Sequence, residues 1–198
     1  VAPSKLPKQL RTQLLATVAA VGIGGGVLLS QPNAPSPAVQ LAAEIGSHYE
    51  GTRYQAYQDS AGVWTVCRGI TANVQQGKTY TEAECKHLEL THYIELELAA
   101  KQLYTHWYSY NLYVQASMLD MLFNLGVPQV RASTHLKLAN SGDLQGACKQ
   151  MTRWVWAVDA RTGQKVQLEG LKSRRQSTAE LCSQWGRDGH FSSARGAA

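Results

Sequence analysis

Residues 50–71 read EGTRYQAYQDSAGVWTVCRGIT, and the fold turns on how this stretch bends. Glu50 is followed by Gly51, a residue that lets a helix stop. Tyr54, Ala56 and Gln58, then Val63, Thr65 and Cys67, alternate as strands do, and DSAG at 59–62 has turn chemistry. The expectation is therefore a helix ending at Glu50, then a β-hairpin over residues 54–58 and 63–67 that folds back towards it. On that hairpin Val63, Thr65 and Cys67 point one way and Trp64 and Val66 the other. Two acids, Glu50 and Asp59, and a hydroxyl, Thr65, would then converge on one cleft. These are the groups that cleavage of a glycosidic bond requires.

Upstream, Ala38, Leu41, Ala42, Ile45 and Tyr49 recur at helical spacing. Residues 31–37, QPNAPSP, hold three prolines and read as a linker. Before it, residues 1–11 carry Lys5, Lys8 and Arg11 and no acid, and residues 12–43 carry no charge. The run LLATVAAVGIGGGVLL at 14–29 is apolar but Gly-rich and about 16 residues long, short of the roughly 20 a stable span needs. A basic head and a weak apolar run have the layout of an export segment. The small-residue pattern of a cleavage site is poor around Ala34, which favours an uncleaved, weakly held membrane anchor.

Downstream, Thr81-Glu82-Ala83-Glu84 is a capping box opening a long helix to about residue 104, with Leu88, Leu98 and Leu103 as candidate core contacts. Asn111 can cap a second helix striped by Leu112, Gln115, Ala116, Leu119, Leu122 and Phe123, which 125–128, LGVP, would stop. Short helices over 133–140 and 143–151, a loop over 158–167, and a last helix over 168–185 with Leu171, Leu181 and Trp185 inward complete the pattern. Trp154 and Trp156 read as core rather than sugar platforms, and Arg174 and Arg175 as a solvated or structural pair. Residues 186–198 read as a tail. The organisation is residues 1–30 (basic head and membrane segment), 31–37 (linker), 38–185 (the folded unit) and 186–198 (tail). The fold class is α+β: a small β-hairpin lobe and a larger helical lobe joined by a long helix, with a cleft between them.

The 198 residues carry a net charge of +5, unevenly spread. Residues 41–130 have five Lys/Arg against nine acids, and residues 131–198 have eleven against five. A basic C-terminal part suits an anionic partner such as a cell-wall polymer. A nucleic acid is disfavoured, because the cations are dispersed rather than interleaved with aromatics. Cys67, Cys85, Cys148 and Cys182 form no CxxC pair and no zinc spacing, so neither metal nor other cofactor is implied. An even count in an exported chain favours two disulfides. Three connectivities are possible, of which the local pairs Cys67–Cys85 and Cys148–Cys182 are preferred.

For the chemistry, Glu50 beside Tyr49 and Tyr54 is the better proton donor, Asp59 in a polar turn the better carboxylate, and Thr65 can hold a water. Glu50-x8-Asp59-x5-Thr65, with GVWTVC at 62–67, resembles the catalytic motif of the phage-type lysozymes, glycoside hydrolase family 24. GKTYTEAEC at 77–85, FNLG at 123–126, GACKQMTRW at 146–154 and GLKSRRQSTAELC at 170–182 continue the resemblance over about residues 40–185. It implies a muramidase cutting the β-1,4 bond between N-acetylmuramic acid and N-acetylglucosamine in peptidoglycan. It also implies Glu50 as general acid, with Asp59 and Thr65 placing the water. Asn124, at the end of a central helix, reads either as a cap or as a substrate contact. The N-terminus resembles the signal-anchor-release segments of some endolysins of this family. That implies a monomer exported in a Gram-negative host, tethered to the inner membrane through residues 14–29 and periplasmic after release. No cysteine precedes Cys67, so blocking of the site by an anchor cysteine is not available here. Two departures stand out. Ile70 occupies the place of a histidine in many relatives, and LGVPQV at 125–130, with Pro128, replaces a more usual VGAGNF. The rival is a catalytically inactive, membrane-tethered peptidoglycan-binding protein on the same fold.

Overall fold

The computed structural model describes residues 6–12, 34–59, 62–159 and 162–184. The apolar run at 14–29, the hairpin turn at 60–61, Trp185 and the tail lie outside them.

Helix α1, Pro37–Tyr49, starts on Ser36, whose hydroxyl accepts from the Val39 amide, with Pro37 at the first position where a missing N–H costs nothing. It buries Ala38, Val39, Leu41, Ala42, Ile45 and Gly46. Its end does not use a left-handed glycine. Glu50 itself turns extended (φ −103°, ψ 131°), and its N–H still reaches the Gly46 carbonyl at 3.0 Å.

Strands β1, Arg53–Gln58, and β2, Trp64–Cys67, pair antiparallel, with Tyr57 opposite Thr65, Gln58 opposite Trp64 and a register irregularity between Arg53 and Tyr57. The expected exposure alternation fails along β2, where Thr65, Val66 and Cys67 are all buried. Cys67 has φ 57°, outside a strand's range, so the chain turns there into the Cys67–Cys85 disulfide. Val66, Cys67, Ile70, Tyr80 and Cys85 form the core of the small lobe. Ile70 is buried in that core rather than presenting a polar group.

The linking helix α2, Glu82–Leu103, has the full capping box on Thr81 and Glu84. Leu103 is buried and Leu88 packs on the small lobe, but Leu98 is 58% exposed, so it does not face a core. The inward positions are instead Cys85, Glu89, Tyr93, Leu96, Glu97 and Ala100. Helix α3, Leu112–Leu125, capped by Asn111, is the centre of the large lobe: α1, α2 and the C-terminal helix all pack on it. Gly126 (φ 82°) ends it, and a short helix α4, Val127–Arg131, starts at once, with Pro128 in its first turn. Residues 125–128 thus redirect the chain rather than leave it unstructured. Helices α5, Thr134–Asn140, and α6, Leu144–Gln150, are capped by Ser133 and Asp143.

Two sequence expectations are corrected beyond α6. Trp154 packs against the core, but Trp156 is 56% exposed. The stretch expected as a loop is a second hairpin, β3 (Trp156–Val158) and β4 (Lys165–Gln167). Helix α7, Glu169–Gln184, follows it and is tied to α6 by Cys148–Cys182. Its buried positions include Arg174, Arg175, Thr178, Leu181 and Cys182, with Leu171 half-buried. Leu6 and Leu10, from the N-terminal residues, are buried in the same large-lobe cluster.

Candidate functional site

Each lobe holds part of the site. In the large lobe, Glu50 leaves the end of α1 with its side chain 35% exposed, in an ion pair with Nη1 of Arg174. Arg174 comes from the second turn of α7 and is buried. Its Nε and Nη2 donate to Asp120 Oδ1 at 3.0 and 2.7 Å. Arg175 Nη2 and the Thr178 hydroxyl reach Asp120 Oδ2, both at 2.9 Å. Burial pushes the Asp120 carboxyl up, but the two guanidiniums and the hydrogen bonds from Arg174 and Thr178 outweigh it and hold the group below its ordinary value. For Arg174 burial works against the charge, and Asp120 and Glu50 more than restore it. Two guanidiniums and the Asp120 carboxylate thus make a buried cluster in which both side-chain oxygens of Asp120 are used, and Nη1 of Arg174 is left to orient Glu50. The sequence reading placed Glu50 among aromatics. The observed neighbour is a buried cation instead, while the Tyr49 hydroxyl pairs with Ser177 Oγ at 2.6 Å.

In the small lobe, Asp59 and Thr65 are tied to the same residue. The Val63 N–H donates to Asp59 Oδ1 at 2.9 Å, and the Thr65 hydroxyl donates to the Val63 carbonyl at 3.0 Å. Asp59 also closes the turn through its backbone N–H to Val63 O. Thr65 is buried and Asp59 half-buried. Asn124 is half-buried at the end of α3, next to Phe123. Its neighbour Phe123 packs against the cores of both lobes.

The sequence reading missed Asp120 and the pairing role of Arg174. A signal was present: Asp120 is the one charged residue in the otherwise apolar and polar-neutral α3 sequence LYVQASMLDMLFNL. A lone acid on a buried helix needs a buried cation, and Arg174 shares the inward face of α7 with Thr178 and Leu181.

A hollow of about 430 Å³ lies apart from these groups, between α1 and α2, lined among others by Glu44, Arg68, Lys86 and Glu89. Arg68 Nη1 bonds Glu89 Oε2 there at 2.7 Å. None of Glu50, Asp59 and Thr65 lines it. Among the described residues no group of three or more His, Cys, Asp or Glu could hold a metal ion.

The family described as Phage lysozyme matches residues 47–178. A "SAR-endolysin" of Enterobacteria phage P21 is 35% identical over 191 residues, covering 91% of this chain and 99% of that one. Among solved structures, the muramidase domain of SpmX from Asticaccaulis excentricus superposes with a TM-score of 0.64 at 25% identity, covering 71% of this chain and 92% of that one. The active form of the P1 phage endolysin Lyz gives 0.61 at 21% identity, covering 87% and 92%.

Proposed function

The chain belongs to the phage lysozyme family, and we propose from this that it is an endolysin, a muramidase that cuts the β-1,4 bond between N-acetylmuramic acid and N-acetylglucosamine in bacterial peptidoglycan. Glu50 is the general acid that protonates the leaving oxygen. Asp59 and Thr65 place a water on the opposite face of the sugar, and Asn124 contacts the substrate. The observation that carries this reading is the two-sided support. Glu50 is held from the large lobe by Arg174, and Asp59 and Thr65 are both fixed to Val63 on the small lobe. General acid catalysis contributes about 10²–10⁴-fold. Glu50→Gln should therefore slow the clearing of a peptidoglycan suspension by at least 100-fold, whereas equal clearing by wild type and variant would remove Glu50 as the acid. The same experiment separates the enzyme from an inactive, tethered peptidoglycan-binding protein, which would clear nothing in either form.

The catalytic unit spans residues 38–185 and acts as a monomer. Residues 14–29 hold the exported chain in the inner membrane of a Gram-negative host until release into the periplasm. The apolar run and the SAR-endolysin relatives support this. Among the described residues no helix is long and apolar enough to cross a membrane. Removing residues 1–30 should move the protein from the membrane to the soluble fraction. It also takes Leu6 and Leu10 out of the core, so the truncated chain should melt at a lower temperature. A truncated chain that still sediments with membranes would place the tether elsewhere.

A further inference from the structure

The second hairpin shows a face that the chemistry at Glu50 does not use. In β3 and β4 Trp156 is opposite Gln167, Ala157 opposite Val166 and Val158 opposite Lys165. Side chains alternate along a strand, so Trp156, Val158, Lys165 and Gln167 share one face and all are exposed, while Ala157 and Val166 lie on the other, half-buried. Val158 is 63% exposed, and Leu168 at the root of the ribbon is exposed as well. The backbone fixes this display at both ends. Leu168 N–H bonds the Val155 carbonyl at 3.1 Å, and Asp159 N–H bonds the Gln164 carbonyl at 2.9 Å. The ribbon runs directly into α7. Arg174 is five residues into that helix, about 7.5 Å at 1.5 Å per residue, and Arg174 holds Glu50. The exposed face is therefore a lip on the ribbon that leads into the helix carrying Arg174.

We propose that this lip binds the peptidoglycan strand beside the scissile bond, an inference that rests on the muramidase reading. Trp156 stacks on the apolar C–H face of a sugar ring, since the indole face is electron-rich. Gln167, across from it, bonds the hydroxyl or acetamido groups at the ring's edge. Lys165 meets the carboxylates of the peptide stem. Charge complementarity favours this occupant, because the exposed Lys165 is the one charged residue in the two strands and the polymer is anionic. An amide directly opposite the indole suits a polyhydroxylated ring better than a lipid surface.

The test uses the full chain carrying Glu50→Gln, so that binding is read without cleavage, in co-sedimentation with purified sacculi. Trp156→Ala should weaken binding about tenfold, and Trp156→Phe should stay within about twofold of the parent. Lys165→Ala should weaken binding more at low salt than at high salt, as an exposed charge contact does. In the chain with Glu50 intact, Trp156→Ala should raise KM on sacculi several-fold with kcat within about twofold. Trp156 is exposed, so the melting temperature should not move. Equal sedimentation of the parent and Trp156→Ala overturns the proposal. So does loss of binding to phosphatidylglycerol vesicles with sacculus binding unchanged, which would make the lip a membrane contact. Full clearing activity in Glu50→Gln would instead defeat the acid assignment, and the sedimentation result would still stand by itself.

Discussion

Arg174 reaches Glu50 across 124 positions of sequence and orients it from a helix that is itself pinned to Asp120. One planar guanidinium serves two carboxylates, one buried and one partly exposed. Lysine keeps the charge but cannot satisfy both directions at once. Arg174→Lys should leave the near-UV circular dichroism native and lower kcat by about 10–100-fold, the scale expected of a slightly misplaced catalytic group. Full activity in that variant would show that Glu50 needs no such orientation. Arg174→Ala strands Asp120 beside a single arginine and should cost about 3–5 kcal/mol in urea unfolding.

His135 and Asp120 predict a two-step loss of stability on acidification. His135 is buried. Its Nδ1 donates to the Ala147 carbonyl at 2.9 Å, so the neutral ring accepts from the Tyr104 hydroxyl at Nε2. Burial depresses its pKa, with the Ala147 bond opposing. The unfolded chain therefore takes up a proton below about pH 6.5 while the folded chain does not. Stability falls from there until the folded value is reached. Asp120 is also depressed, so its contribution is present above about pH 3.9 and is lost as pH falls towards its lower folded value. The melting temperature should decline between pH 7.5 and 5.5 and again below pH 4. His135→Gln should be less stable at neutral pH, with the first decline flattened. An unchanged slope would exclude His135 as its source.

Gly46 and Tyr93 are coupled through space. A Cβ at Gly46 would lie 2.5 Å from the Tyr93 hydroxyl. That hydroxyl is buried with no hydrogen-bond partner among the described residues, and its ring stacks on Phe123 at 4.6 Å. Tyr93→Phe should be neutral or stabilising, because it removes an unsatisfied polar atom. Gly46→Ala should cost about 1–3 kcal/mol by overpacking, and less in the Tyr93→Phe background. Additive costs in the double-mutant cycle would deny the contact.

Each disulfide closes a modest loop, with separations of 18 and 34 residues. Loops of this size confer about 3–4 kcal/mol by restricting the unfolded chain. Cys148→Ala with Cys182→Ala should therefore lower unfolding free energy by about that amount, as should Cys67→Ala with Cys85→Ala. A loss under 1 kcal/mol for either pair would mean that the reduced chain is already constrained.

What could be read from the sequence was mostly local. Thr81 and Asn111 cap helices within three residues of themselves, and the expected starts at 133 and 143 fall on the caps Ser133 and Asp143, so short-range chemistry located those helix starts. The Asp59–Thr65 hairpin was legible for the same reason. The Asp120–Arg174–Glu50 chain was not, since its partners come from three distant helices and only packing brings them together. The second hairpin was hidden because strands of three residues give too little alternation to register against a Thr-Gly turn. Trp156 was misread because Trp154 ends the turn before β3, so its burial does not carry over to a face of the strand. Leu98 failed likewise, since α2 touches both lobes and follows neither lobe's period throughout.

The placement of the two disulfides has a mechanical consequence. Cys67–Cys85 joins β2 to the start of α2, and Cys148–Cys182 joins α6 to α7. Each clamps one rigid body and neither crosses the gap between them. The small lobe is attached covalently at two points, the residues after Glu50 and the shaft of α2. Oxidation therefore ties β2 to α2 and α6 to α7 but adds no covalent link between the small lobe and the C-terminal helices.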